Sequence, residues 1–254
     1  KFEELFFLQF PFIRKKINRR EANQGITFGK DALLYNQFVN QHLSFELTDA
    51  QERVLQEITT DLTSGKQMSR LLQGDVGSGK TIVAFLSVLR AIDNGYQASL
   101  MAPTEILAIQ HFMGLKELAD QLHLKIGLLT GSTTKKERVT LHEKLLSGEI
   151  KLLIGTHALI EDVVKFQNLG LVIIDEQHRF GVAQRAKLQG KGKENPHVLV
   201  MTATPIPRTL AMSMYGDLDY SVIDEMPAGR KEIKTVHRFG FAREKVHEFV
   251  KQEI

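Results

Sequence analysis

Cysteine is absent from the 254 residues, which excludes disulfides, thiolate zinc sites and thiol catalysis. Long apolar runs are missing as well, since no uninterrupted stretch approaches the roughly 20 residues that span a bilayer as a helix. The opening KFEELFFLQFPF mixes acids with aromatics and lacks the basic start and small-residue cleavage pattern of a secretory leader. Proline is scarce, 6 against 19 glycines, while 43% of residues are hydrophobic and 25% charged. That balance belongs to a globular chain rather than a disordered or fibrous one, and it fits a cytosolic protein. Neither sign of charge dominates: the formal net charge of +3 permits nucleic-acid contact without requiring it. The densest basic run, Arg14, Lys15, Lys16, Arg19 and Arg20, reads as a solvated helix face as readily as a phosphate contact. Nine histidines are present, none in a metal-binding spacing such as H-E-x-x-H. Internal repeats and low-complexity tracts are also lacking.

What is there is an alternation of short apolar runs with longer segments of helical period between Arg70 and Ile223. The strand candidates are RLLQ (70–73), ASLMA (98–102), KIGLLT (125–130), KLLIGT (151–156), LVIID (171–175) and VLVMT (198–202). They barely alternate polar with apolar, as strands do when helices cover both faces. The expected fold is therefore α/β, with a mainly parallel sheet flanked by helices. TIVAFLSVLRAI sets Ile82, Val83, Phe85, Leu86, Leu89 and Ile92 on one broad helical stripe, with DNGY as its stop. Further helices are expected to begin near Thr104, Thr134, Ala183 and Ile206. Residues 1–44 read as a helical linker or buttress with Leu5, Phe6, Leu8, Leu33, Leu34, Phe38 and Val39 as apolar contacts. MPAGRKE (226–232) is a Pro/Gly break, after which IKTVHRF alternates like a strand and AREKVHEFVKQEI opens a helix. The expected organisation is a linker over 1–44, a main domain over 45–226, and a linker with the truncated start of a second domain over 227–254.

Ligands of open α/β sheets gather at the carboxyl ends of strands, and two such ends carry chemistry. Gly74-Asp75-Val76-Gly77-Ser78-Gly79-Lys80-Thr81 satisfies G-x-x-x-x-G-K-[ST] between a predicted strand and a predicted helix. Gly74, Gly77, Ser78 and Gly79 let backbone N–H groups wrap phosphate oxygens. Lys80 reaches the β/γ-phosphates, and the Thr81 hydroxyl binds Mg2+. Hydrolysis also needs a carboxylate for the metal and a group to position water. LVIIDEQH supplies both, with Asp175 as metal holder and Glu176 to orient or deprotonate water, while Gln177 and His178 are candidates for relaying nucleotide state.

The ordered segments GDVGSGKT, MAPTEILAIQH, GTHALI, DEQHRFGVAQR and MTATPIPRTLA resemble the first RecA-like motor domain of superfamily 2 helicases. The resemblance is fullest over 45–225. Within the superfamily it is to bacterial branched-DNA helicases, with the double-stranded-DNA translocases of transcription-coupled repair second. The latter favour an acidic residue at the position of Gln177 and a bulky one at Ser78, so these two residues favour the former.

The resemblance implies ATP hydrolysis with Mg2+, coupled to movement on branched and double-stranded DNA in recombination and repair. It further implies a monomer in the bacterial cytoplasm at the nucleoid, single-stranded-DNA-binding protein as a partner, and no membrane role. Missing from the chain, on this reading, are most of a second RecA-like domain with its arginine finger and an N-terminal wedge domain, so the fragment alone should be nearly inactive.

FELTDAQ (45–51) resembles the adenine-reading segment, with Gln51 on the base and Phe45 packed nearby; Thr48 with Gln51 also forms an ordinary capping box. Pro103, Thr104, Glu105, Thr130, Gly131, Thr156 and His157 resemble the DNA-tracking positions on the surface facing nucleic acid, and helix capping is an equally natural use of the threonines. Thr202 and Thr204 resemble the coupling motif, with Arg179 and Arg208 extending it. A small-molecule kinase or a nucleotide-dependent scaffold would share the phosphate loop without the coupling segments.

Overall fold

The computed structural model describes Phe6, Phe7, Phe10 and Arg14 and residues 25–29, 32–176, 187–204, 218–227 and 235–253. Lys15, Lys16, Arg19, Arg20, Leu5, Leu8 and the helix starts expected near Ala183 and Ile206 lie outside the described residues.

Seven strands form one sheet: β1 (Ser69–Gly74), β2 (Gln97–Met101), β3 (Ile126–Leu129), β4 (Leu152–Gly155), β5 (Leu169–Asp175), β6 (His197–Thr202) and β7 (Asp219–Ile223). Their order is β3-β4-β2-β5-β6-β1-β7, and every pairing is parallel. Six coincide with the expected runs. β7 was not expected, because DYSVI is short and half polar; it lies at the sheet edge, where it pairs only with β1.

The two-residue period of a strand sends alternate side chains to opposite faces. Leu72, Leu171, Ile173, Leu199 and Met201 enter one core layer. Leu71, Val172, Ile174, Val198 and Val200 enter the other. Both faces are dry, which is why the runs carry no polar alternation.

The α-helices that begin and end within the described residues are α1 (Leu33–Gln37), α2 (Asp49–Thr63), α3 (Lys80–Asp93), α4 (Glu105–Gln121), α5 (Lys135–Leu146) and α6 (Arg243–Glu253). Every residue of α3 from Ile82 to Leu89 is buried, a wider apolar surface than one stripe, because α3 packs against α1, α2 and the sheet. It stops at Asn94, followed by Gly95 at φ +80°. Thr104 caps α4 by accepting from the Leu107 N–H, and Thr134 with Glu137 makes a capping box at α5.

The flank before α2 belongs to the same core: Ile26, Phe28 and Phe38 are buried, and Leu34 and Val39 pack against them. Leu33 corrects the expectation. It is 79% exposed, since neighbouring positions on one helical turn point in different directions. A π-helical turn, Phe38–His42, follows α1. The strand expected in IKTVHRF is corrected in its described part too: residues 235–239 have no strand pairing and are all exposed, so the alternation has no buried face to answer it.

Two buried polar residues fasten the sheet. His197 opens β6; its Nδ1 accepts from the Met68 N–H at 3.0 Å and its Nε2 donates to the Ile26 carbonyl at 2.8 Å. A backbone amide can only donate and a carbonyl only accept, so the ring is held as the neutral Nε2–H tautomer. Burial drives its pKa down to about 4. Arg70 of β1 donates to Asp61 at 2.7 Å and Glu57 at 2.9 Å on α2 and to Ser221 of β7 at 2.7 Å. One guanidinium thus joins a central strand, a helix and the edge strand.

Candidate active site

The loop between β1 and α3 turns on glycines that no other residue replaces cheaply. Gly77 and Gly79 sit at φ +82° and +90°, the left-handed region that L side chains avoid, and a Cβ on Gly79 would collide with the Gln51 amide. The Lys80 ammonium donates to the carbonyls of Gly74 at 2.7 Å and Asp75 at 2.8 Å, across the loop. Thr81 is exposed beside it. The Ser78 hydroxyl is buried with no protein partner, an orphaned donor within the loop. Together with Lys80 at a helix N-terminus, that donor set suits the phosphates of a nucleotide.

Asp175 closes β5 and Glu176 follows it with φ +52°, a costly backbone for a residue with a Cβ and one that clusters at functional sites. Two contacts hold it there: its N–H donates to the Met201 carbonyl at 2.9 Å, and its Oε1 accepts from the Ala203 N–H at 3.1 Å. The Thr202 hydroxyl, 3.5 Å from Oε2, bonds Thr204 at 2.6 Å. Asp175 is gripped by His111 of α4, whose Nε2 lies 2.7 Å from Oδ2.

β1 and β5 end on the same edge of the sheet, with β6 between them. Burial lowers the pKa of Lys80 below the usual lysine range, and the charges of Asp175, Glu176 and Asp75 oppose that shift. Both carboxylates thus act on the phosphate-loop lysine through space. The hydroxyl of Thr81 and the carboxylate of Asp175 are hard oxygen donors, the ligand type magnesium takes when substrate phosphates complete its shell.

Beside the loop lies a cavity of about 750 Å³, whose lining includes Phe38, His42, Phe45, Gln51, Thr81 and Pro227. That size suits a small ligand. Gln51 is only 1% exposed. Its Oε1 accepts from the Thr48 N–H at 3.0 Å and its Nε2 donates to the Ser78 carbonyl at 2.8 Å. The capping box and a tie to the phosphate loop therefore occupy the same amide. The first turn of α2 is also fastened to the end of β7 and the residues just after it: the Ala50 N–H donates to Glu225 at 2.9 Å, and Arg53 donates to Asp224 at 2.7 Å and to the Val222 carbonyl at 3.1 Å.

The residues expected to face DNA divide. Gly131 and His157 are exposed, and Pro103 is half-buried. Thr130 and Thr156 correct the expectation, being 2% and 4% exposed. Thr130 donates to Glu105 at 3.0 Å, and Ser132 donates to the same carboxylate; these bonds hold the Glu105 pKa below the usual carboxylate range. Arg138 of α5 secures that loop from below, donating to the carbonyls of Thr130 at 2.8 Å and Thr133 at 3.2 Å. Glu105 and Thr130 are thus spent on each other, and Thr104 on its cap. Gln177, His178, Arg179 and Arg208 lie outside the described residues. Neither His111 nor Arg138 stood out in the sequence; the only available signal was a polar residue on the inward face of a predicted helix.

A phosphate loop after β1, an Asp-Glu pair at the end of β5, one strand removed in the same parallel sheet, and a Thr-Ala-Thr turn at the end of the intervening β6 that holds the second carboxylate define a nucleotide-dependent helicase motor. Residues 48–213 match the DEAD/DEAH box helicase family, and the chain belongs to that family, whose motor domains use a nucleotide. Among its relatives are proteins named ATP-dependent DNA helicase RecG, from Synechocystis sp. at 49% identity and from Thermotoga maritima at 51%, each matched over 100% of this chain. The chain spans about a third of the length of these curated relatives. A solved structure described as RecG bound to a three-way DNA junction superposes with a TM-score of 0.84 at 47% identity, over 99% of this chain and 33% of that one.

Proposed function

We propose that this chain is the nucleotide-binding part of an ATP-driven DNA motor that remodels branched DNA, such as stalled forks and Holliday junctions. The observation that carries the reading is the placement of the phosphate loop and the Asp175–Glu176 pair at the carboxyl ends of parallel strands of one sheet, with only β6 between them. Lys80 would bind the β/γ-phosphates, and Thr81 with Asp175 would hold a magnesium ion, which would supply positive charge to offset that of the phosphates. Glu176 takes or orients the proton of the attacking water. Its strained backbone and the Ala203 N–H fix its carboxylate, so movement of the Thr202–Thr204 turn alters the hydrolytic group directly. Phe45 and the cavity wall take the base.

On the DNA side, exposed Gly131 and His157 and the backbone at Pro103 meet the nucleic acid. Thr104, Glu105 and Thr130 shape the loops that present them. An arginine finger from a second motor domain, worth about 10³ to 10⁵ in rate in related motors, completes the site, so the 254 residues alone bind nucleotide and turn it over slowly. The whole protein acts on double-stranded and branched DNA as a monomer at the bacterial nucleoid, with single-stranded-DNA-binding protein as a partner.

The test has two arms. A fluorescent ATP analogue with Mg2+ should bind the chain, and K80A should abolish that binding while leaving the fold intact. In the longer protein, forked DNA should stimulate ATP hydrolysis. Equal binding by K80A, or hydrolysis indifferent to forked DNA, would sink the proposal.

A further inference from the structure

The contact between His111 and Asp175 brings a helix from a neighbouring crossover into the cleft. The two side chains are 13% and 12% exposed, so the pair is shielded from bulk water and its geometry is set by packing. A carboxylate only accepts hydrogen bonds, so the histidine Nε2 carries the hydrogen and Oδ2 is committed to it. Among the described residues no group donates to Oδ1. The arrangement is that of an outer partner orienting a metal-binding carboxylate: one oxygen is pinned and the other is left with a fixed heading.

We infer that His111 is a positioning residue for the magnesium-holding carboxylate, and that α4 connects the metal site to the loops at the strand ends. This rests on the nucleotide-hydrolysing reading above. Helix α4 begins at Glu105, which is bonded to Thr130 and Ser132. Six residues separate Glu105 from His111, about 9 Å along a helix axis, a span too short and regular to absorb a displacement. A shift of the Thr130–Ser132 loop therefore reaches Asp175 through His111.

The experiment measures the Mg2+ concentration that half-saturates binding of a fluorescent ATP analogue, and the analogue's affinity in EDTA, for wild type, H111L, H111A and H111Q. Glutamine places its amide nitrogen near the position of Nε2, whereas leucine fills the volume without a donor. Melting temperatures identify the variants that fold, and the leucine form stands in should the alanine form not fold.

H111L and H111A should need about 10- to 100-fold more Mg2+, H111Q should recover most of that loss, and EDTA affinity should stay within about twofold for all. An unchanged Mg2+ requirement in folded H111L would overturn the inference. So would an equal fall of affinity with and without metal, which marks a role in packing alone. Wild type that binds no analogue would instead refute the nucleotide reading, and this inference with it.

Discussion

Lowering the pH from 7.5 should cost the fold stability through His197. In the folded chain the ring is neutral, buried and bonded at both nitrogens, and its pKa falls from 6.5 to about 4. The folded state therefore binds fewer protons than the unfolded chain between those values. Stability from this residue is fully present above pH 6.5 and is lost as the pH falls toward 4. At about 1.36 kcal/mol per pH unit the complete loss is about 3 kcal/mol, of which about 2.5 kcal/mol is gone by pH 4.5.

Protonation also converts Nδ1 from acceptor to donor, facing the Met68 N–H head on. Urea denaturation at pH 7.5 and 4.5 measures the change. The matched variant is H197N, whose side-chain oxygen stands in for Nδ1 and still accepts from Met68, while the Ile26 carbonyl loses its donor at a cost of about 1–3 kcal/mol. Wild type should lose about 2.5 kcal/mol more than H197N over this pH range, the carboxylates cancelling in the difference. Equal losses in the two proteins would refute the reasoning.

Three other outcomes follow from the contacts described. R70M should unfold at lower urea than wild type by about 3–5 kcal/mol, because Glu57 and Asp61 are left without their cation; R70M combined with E57Q and D61N should recover part of that loss. G79A should lower stability by about 1–3 kcal/mol through its left-handed backbone and the collision with Gln51, and should abolish binding of the ATP analogue. T134A, which removes the capping box of α5, should cost about 1 kcal/mol in thermal or chemical denaturation with nucleotide binding unchanged.

How far these features could be read in the residues depended on whether a local rule governed them. The phosphate loop and LVIIDE were plain, because backbone wrapping of a phosphate restricts which residues fit and because strand-end carboxylates follow a long dry run. Six strands were visible for the same reason, since fully buried strands are continuous apolar runs. β7 escaped because an edge strand is half solvated and its composition resembles a loop. The His111–Asp175 pair spans 64 positions, and Arg70 appeared only as the first residue of a strand; both depend on which elements become neighbours, which no local period encodes. Thr130 and Thr156 were expected outside because hydroxyls at strand ends commonly grip phosphate. The same hydroxyls can be drawn inward by a nearby carboxylate, as Glu105 does to Thr130, and the residue type does not distinguish these uses.

The first turn of α2 has three attachments within four residues: Ala50 to the Glu225 carboxylate, Arg53 to the Asp224 carboxylate and the Val222 carbonyl of β7, and Gln51 to the phosphate loop. At 1.5 Å of rise per residue there is no slack between them. On the nucleotide-binding reading, a rearrangement of the loop would move the helix end as one piece and, through Ala50 and Arg53, residues 222–225 with it. Cleft occupancy and the end of the edge strand would thereby be geared to each other, with Gln51 as the tooth that engages.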